Sequence, residues 1–369
     1  MRILIVSDAW KPQVNGVVRT YEDLTHALEQ RNHDCRVIGP HDFPLRIPMP
    51  GYREIELALF AGGRLRRMVD DFAPETIHIA TEGPLGQTMR KLCLKRGWGF
   101  TTAYHTHFPD YAALRAAKFI PALYTPVKNY GIRMIREFHA PASSILTTTQ
   151  SVEDTLKSWG VKTPMHRLTR GVNTDIFHPG PKTLFQDLPQ PVALYVGRVA
   201  IEKNIGAFLN ASWDGSKVIV GHGPALAELQ KKFPKCHFIG RKTGRDLAEC
   251  FRSADIFAFP SLTDTFGIVL IEAMACGVPI AAFPVTGPKD IVTDQSLGTL
   301  HKDLGVAMQG ALQSPGGHEQ RFLHLKTHYT WDIAADQFIS AQNQVVIPQK
   351  LSIRNGLNSS IPEAAWPES

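Results

Sequence analysis

Two carboxylates stand eight positions apart in "PSLTDTFGIVLIEAMACGVP" (260–279): Asp264 before an apolar run and Glu272 inside it. Between Phe266 and Ile280, Glu272 is the single charged residue. A helix that is apolar all round is a buried helix, and a carboxylate within one is costly unless paired or hydrogen-bonded. Glu272 therefore reads either as a core carboxylate paired with an Arg or Lys from another element, or as a binding group. A helix starting near Phe266 or Gly267 leaves the N–H groups of Phe266, Gly267, Ile268 and Val269 free, and its dipole adds to their pull on an anion. Asp264 stands where a cap would.

Other loops carry complementary chemistry. "VGRVAIEKN" (196–204) ends a strand at Gly197 and offers Arg198 and Lys203, a fork and a point charge suited to a diphosphate. "QVNGV" (13–17) puts Gly16 just before a helix, where backbone N–H groups can approach a phosphate. "VIVGHGPAL" (218–226) begins like a dinucleotide fingerprint, but Leu226 holds the third glycine position; Gly221 and Gly223 remain candidates for close backbone approach to a ligand. In "AYHTHFPDY" (103–111), His105 and His107 share a strand face. No third ligand has a recognisable spacing, which argues against a metal and for a core histidine or a sugar-hydroxyl contact at His105.

These loops need a scaffold that turns strand ends toward one place. The chain alternates strand and helix, with strands expected at 2–7, 34–39, 75–81, 99–106 and 143–149, then again at 191–198, 217–221, 236–240, 255–260 and 278–283. Such alternation predicts parallel sheets covered on both faces. Two series predict an α/β chain of two doubly wound, Rossmann-like domains joined near "TRGVNTDIFHPGP" (169–181). Ligands of such sheets bind beyond the carboxyl ends of the strands, so two facing sheets make a cleft.

Composition narrows the setting. The 369 residues are ample for two domains, and no run of about 18 apolar residues predicts a membrane span. The N-terminus reaches Asp8 too early for a signal peptide. Five cysteines lie far apart, with no metal or disulfide pattern, which fits a reducing cytoplasm. Residues 1–170 hold 23 Lys and Arg against 16 Asp and Glu, and within 60–136 the count is 12 against 5. That excess is either a solvated face or an attraction to an anionic membrane or acidic acceptor. Nucleic acid is not expected, since no recognisable module or interleaved aromatics accompany it.

As a set, the motifs resemble the retaining glycosyltransferases of family 4, which have the GT-B fold. The resemblance runs from Arg2 to about Gln344 and is carried by "GRVAIEKN", "GHGP", "GVNTDIFHP" and "DTFGIVLIE", the last standing for the family's Glu-x7-Glu. It implies an acceptor-binding domain over 1–175, a nucleotide-sugar domain over 176–330, a helix over 331–350 crossing back to the first domain, and a flexible tail over 351–369. It implies that Arg198 and Lys203 hold the nucleotide diphosphate, with Gly16 approaching from the other domain and Gly197 and Gly223 in the donor site. Backbone at Thr265, Phe266, Gly267, Ile268 and Val269 would bind sugar hydroxyls and phosphate. Glu272 would take the ribose, backbone near Lys242 the base, and His105 the donor sugar.

The region of "GPLG" (83–86) and "YHTHFPDY", with Asp110 and Tyr111, looks like members that glycosylate lipids or lipid-linked mannosides. The implied reaction moves a hexose from a UDP- or GDP-sugar to an acceptor hydroxyl with retention, without metal or other cofactor, a leaving-phosphate oxygen taking the proton. A membrane lipid or glycolipid is the expected acceptor, and the inner face of the membrane the expected location. A polysaccharide acceptor, a phosphorolytic or hydrolytic relative, and a non-catalytic binding subunit are the alternatives; a dinucleotide oxidoreductase is disfavoured by Leu226. One departure stands out: the first acid of the pair is Asp264, one methylene shorter than Glu.

Overall fold

The computed structural model describes residues 1–13, 15–49, 52–105, 108–117 and 120–347, the side chains of 52–55 and 111 excepted. The strands are β1 (Arg2–Val6), β2 (Asp34–Ile38), β3 (Arg46–Met49), β4 (Tyr52–Ala58), β5 (Thr76–Ile79), β6 (Thr101–Tyr104), β7 (Ser144–Thr147), β8 (Met165–Arg167), β9 (Val192–Val196), β10 (Ser216–Val220), β11 (His237–Phe238), β12 (Ile256–Phe259), β13 (Ile280–Ala282) and β14 (Gly298–Leu300). The helices are α1 (Gly16–Glu29), α2 (Gly62–Phe72), α3 (Pro84–Arg96), α4 (Phe108–Ala117), α5 (Tyr124–His139), α6 (Gln150–Ser158), α7 (Ile205–Asn210), α8 (Leu226–Lys232), α9 (Gly244–Arg252), α10 (Ile268–Ala275), α11 (Pro288–Ile291), α12 (Leu304–Leu312), α13 (His318–His328) and α14 (Trp331–Gln342).

Two parallel six-stranded sheets result, ordered β2-β1-β5-β6-β7-β8 and β11-β10-β9-β12-β13-β14. Strand β1 of the first sheet and β9 of the second are apolar on both faces. In β1, Leu4 and Val6 pack with Ile77, Ile79 and Met89 on one side, while Ile3 and Ile5 pack with Tyr21, Leu24 and Phe338 on the other. Each of these fully buried aliphatic side chains contributes about 1.5–3 kcal/mol. In β9, Val192, Leu194 and Val196 face one core and Ala193 and Tyr195 the other. Every segment read as a strand contains one, usually a residue or two shorter at each end.

Three features were not foreseen. In chain order the antiparallel hairpin β3–β4, a sheet of its own, follows β2 where the second domain has the outer strand β11, and the two large sheets differ in strand order. The short edge strands β8 and β14 complete the sheets. Three residues of mixed polarity show no periodicity, so nothing in the sequence marked either.

The crossover helix α14 is capped by Thr330, whose hydroxyl accepts from Ile333 N–H at 3.2 Å. It buries Ala334, Ala335, Phe338 and Ala341 against the first sheet. Its start lies beside the interdomain linker, with Val172 N–H donating to Tyr329 O at 3.2 Å. A side chain at Gly171 would sit 2.3 Å from Trp331 N, so only glycine lets the two crossings touch. The expected tail over 351–369, and the end of the expected crossover segment at 348–350, lie outside the described residues.

Candidate active site in the interdomain cleft

The carboxyl ends of β5, β6, β9 and β12 open onto one cleft of about 510 Å³. Gly16, Thr81, Glu82, His105, Thr148 and Arg170 line it from the first domain. Gly197, Arg198, Lys203, Asp264 and Thr265 to Val269 line it from the second. The structure thus brings together Gly16, His105, Gly197, Arg198, Lys203, Asp264, Thr265, Phe266, Gly267, Ile268 and Val269 of the expected site.

Asn15 starts α1, its side chain accepting from Val17 and Val18 N–H at 3.0 Å each, and Gly16 faces Ile268 across the cleft. On the second wall, α10 begins at Ile268, two residues later than the earliest expected start, with Gly267 as its N-cap and no capping side chain. Asp264 is therefore not a cap. Its Oδ1 takes the Lys203 ammonium at 2.6 Å, and its buried Oδ2 has no hydrogen-bond partner. Arg198 is exposed on the cleft wall, its main-chain carbonyl fixed by the Tyr195 hydroxyl at 3.0 Å.

Glu272 is fully buried in α10 and does not line the cleft. Its partner is Arg19 of α1, with Nη2 2.7 Å from Oε1. The pairing reading of Glu272 thus holds in this conformation, and the pair bridges the two domains. The contact is close enough for an ion pair, yet neither carboxylate oxygen receives a hydrogen bond of good geometry. Burial pushes the Glu272 carboxyl above the ordinary carboxylate range, and Arg19 pulls it back in part.

His105 departs most from expectation. Arg170 Nη2 donates to its Nδ1 at 3.0 Å, so Nε2 carries the proton and donates to Tyr21 Oη at 2.8 Å. Tyr21 then donates to His78 Nε2 at 2.6 Å, and His78 Nδ1–H to Thr101 Oγ1 at 2.7 Å. Gln342 of α14 closes the chain, donating to the same Thr101 oxygen at 2.7 Å. Burial, then the Arg170 charge, hold His105 well below the usual histidine range and His78 down at about 3, so both rings are neutral. Neither nitrogen of His105 is left for a sugar. Its main-chain carbonyl instead accepts from Thr265 Oγ1 at 2.7 Å, and Thr265 O accepts from Thr148 Oγ1 at 3.1 Å, clasping the donor-side loop to the first domain.

The remaining expected residues lie elsewhere. A side chain at Gly223 would meet Val199 O at 2.3 Å, so this glycine lets two loops of the second domain pack and does not reach the cleft. Lys242 stands outside the cleft lining. So does Asp110, which pairs with Lys128 at 2.7 Å. Tyr111 is in α4, its side chain outside the described residues, as is His107 altogether. The five cysteines are free. Sequence reasoning missed Arg19, Tyr21, His78, Glu82 and Arg170; only the isolated polar residues on otherwise apolar strands and helix faces hinted at them.

The family model for Glycosyltransferase Family 4 matches residues 14–176, and that for glycosyl transferases group 1 matches residues 190–312. The chain is 27% identical over 333 residues to a GDP-mannose-dependent alpha-mannosyltransferase of Mycobacterium tuberculosis, covering 81% of this chain and 83% of that one. It is 22% identical to the alpha-monoglucosyldiacylglycerol synthase of Streptococcus pneumoniae, covering 92% and 83%. Its fold matches sucrose-phosphate synthase from Thermosynechococcus elongatus with a TM-score of 0.73 at 18% identity, covering 93% of this chain and 99% of that one.

Proposed function

Because the chain belongs to glycosyltransferase family 4 and has the GT-B fold, we propose that it moves a hexose, with retention and without a metal, from a nucleotide diphosphate sugar to a lipid hydroxyl. One observation supports this most: the second wall combines two cations and an uncapped helix N-terminus with a buried Asp264 oxygen that lacks a hydrogen bond, and behind it Glu272 is held by the half-exposed Arg19. Leaving such an acceptor unsatisfied costs about 1–3 kcal/mol, a cost that a hydroxyl of the hexose would offset. In this reading Arg198, Lys203 and the α10 N-terminus carry the charge of the leaving diphosphate. Asp264 Oδ2 takes a donor-sugar hydroxyl, and Glu272 exchanges Arg19 for the ribose. The Thr265 clasp holds the donor loop against the acceptor domain. The acceptor hydroxyl enters on the face the phosphate leaves, and a phosphate oxygen takes its proton.

A lipid acceptor is supported by the relative that makes monoglucosyldiacylglycerol and by the surface of α4 and α5. There Leu114, Ile120, Tyr130 and Met134 are exposed beside Arg115, Lys128 and Arg133. In this reading the contact is peripheral, at the cytoplasmic face; among the described residues no helix is long and apolar enough to cross a membrane. The test uses UDP-glucose or GDP-mannose with diacylglycerol in anionic vesicles and excess chelator. We expect an α-glycoside by NMR, an unaltered rate with chelator, and a fall of about 10²–10³ in kcat for Arg198→Ala. A β-linked product would remove retention from the proposal, and no transfer from any donor would remove the whole of it.

A further inference from the structure

The loop between β5 and α3 puts Glu82 in the first wall of the cleft, with a side chain 30% exposed. Among the described residues lining the cleft, Glu82 and Asp264 are the carboxylates, and Asp264 is held by Lys203. Behind Glu82 stands His139, the last residue of α5 and fully buried. Its Nδ1 is hydrogen-bonded to Thr102 Oγ1 at 2.8 Å, while Nε2 lies 3.4 Å from Glu82 Oε1 with no hydrogen bond of its own. Glu82 is thus a half-open acceptor of hydrogen bonds, backed on one oxygen by an imidazole.

Among the described residues, the N-terminus of α1 at Gly16 is this wall's opening toward an anion, and it faces Ile268 of the donor side. The N-terminus of α3 is filled from within: Asp8 accepts from Leu85 N–H at 2.8 Å and Gly86 N–H at 3.1 Å. The Arg170 guanidinium is buried and donates to Leu168 O, Thr169 O and His105. Arg19 of α1 pairs with Glu272, lies 4.0 Å from Asp23 and is not among the described residues that line the cleft. Among the described residues lining the cleft, the donor side presents Arg198 and a Lys203–Asp264 pair, and the first wall presents Glu82 with Arg170 turned to main-chain carbonyls and His105.

We propose that Glu82 recognises the hydroxyls of an uncharged acceptor, the glycerol or sugar moiety of a neutral lipid, and disfavours acceptors with a phosphate beside the reacting hydroxyl. This rests on the transfer reaction proposed above and specifies its substrate. A carboxylate takes hydrogen bonds from neighbouring hydroxyls and repels a phosphate.

The full chain is assayed in neutral detergent micelles with UDP-glucose or GDP-mannose, offering either dioleoylglycerol or phosphatidylinositol. Both lipids carry hydroxyls; only the second is charged at its headgroup. The wild-type protein should favour dioleoylglycerol at least tenfold in kcat/KM. Glu82→Gln should raise the KM for dioleoylglycerol about tenfold while the KM for the donor moves less than twofold, and Glu82→Lys should narrow the preference over phosphatidylinositol. Three results overturn the proposal: a wild-type preference for phosphatidylinositol, an unchanged acceptor KM in Glu82→Gln, or donor and acceptor KM rising together as a structural defect would make them. If donor is turned over but Glu82 variants behave as wild type, this inference alone falls. If no donor is turned over with either lipid, the transferase reading falls and takes the inference with it.

Discussion

The N-terminus of α3, which follows the cleft-lining Thr81 and Glu82, and that of α10 on the opposite wall are treated in opposite ways. That of α3 is closed by the chain's own anion: Asp8 accepts two of its N–H groups, and the Thr81 hydroxyl donates to the same carboxylate at 2.9 Å. That of α10 has no capping side chain, because the acid before it turns to Lys203. The same division runs through the ionisable groups. In the first wall, Tyr21, His78, His105 and Arg170 satisfy one another. In the second, Asp264 and Glu272 keep oxygens without hydrogen bonds. Polar groups matched in this way are complete on folding, and Glu82, with His139 behind it, is the first wall's exception. A wall with open acceptors and an open helix end is completed by a ligand.

The largest expected effect comes from undoing the closed end. Asp8→Ala leaves the N–H groups of Leu85 and Gly86 buried without an acceptor, and should lower stability by about 3 kcal/mol in urea unfolding. Sulfate should then restore part of that loss by occupying the vacated helix end. Asp264→Ala removes only a part-exposed ion pair, which is worth about 0–1 kcal/mol. Equal losses in the two variants would erase the distinction between the walls.

The legible parts of this molecule were the local ones. Arg198 and Lys203 sit five positions apart around one strand end, so a single loop announces them. The apolar run after Gly267 announced α10 itself, but not its uncapped start, because Asp264 read as a cap. The first wall was largely illegible, because its network draws Tyr21 from α1, His78 from β5, Arg170 from the linker and Gln342 from α14. Each looks unremarkable in its own segment, and only the fold links them, through His105 and Thr101, into one hydrogen-bonded chain. The same holds for Arg19 with Glu272: the sequence shows that a buried carboxylate needs a partner, but not which domain supplies it. Gly223 was identified as a close-approach glycine, yet what approaches is Val199 of the same domain.

The walls should also differ in their response to acid. His78 titrates at about 3 in the folded protein, and His105 well below its ordinary value. Both folded values lie under the unfolded value of about 6.5, so the unfolded chain takes up protons first as pH falls. For His78 the contribution is complete above that value and declines below it by about 1.4 kcal/mol per pH unit, or about 2 kcal/mol at pH 5, and His105 acts in the same direction. Replacing His78→Gln should reduce the stability lost between pH 7 and pH 5 by that amount in urea titrations. If the variant and the wild type lose equally, His78 is not held neutral and the first wall is less complete than its hydrogen bonds indicate.

The smallest expected effect has the opposite sign and tests the second wall. Burial raises the Glu272 carboxyl above its unfolded value, so the folded state holds its proton more tightly than the unfolded chain does. Its contribution is then most favourable below the unfolded value and is lost as pH rises through the folded one. At neutral pH an ionised Glu272, with a single half-exposed arginine beside it and no hydrogen bonds, is a liability to the unliganded fold. Glu272→Gln should accordingly gain about 1 kcal/mol at pH 7. The same substitution should abolish most of the thermal stabilisation that saturating UDP or GDP confers on the wild-type protein, because Glu272 would no longer meet the ribose as a carboxylate. Arg19→Ala should do the reverse, destabilising the unliganded protein while leaving Glu272 open to nucleotide. If Glu272→Gln loses stability and keeps the full nucleotide shift, the carboxylate serves the Arg19 bridge between domains, and the second wall is as complete without a ligand as the first.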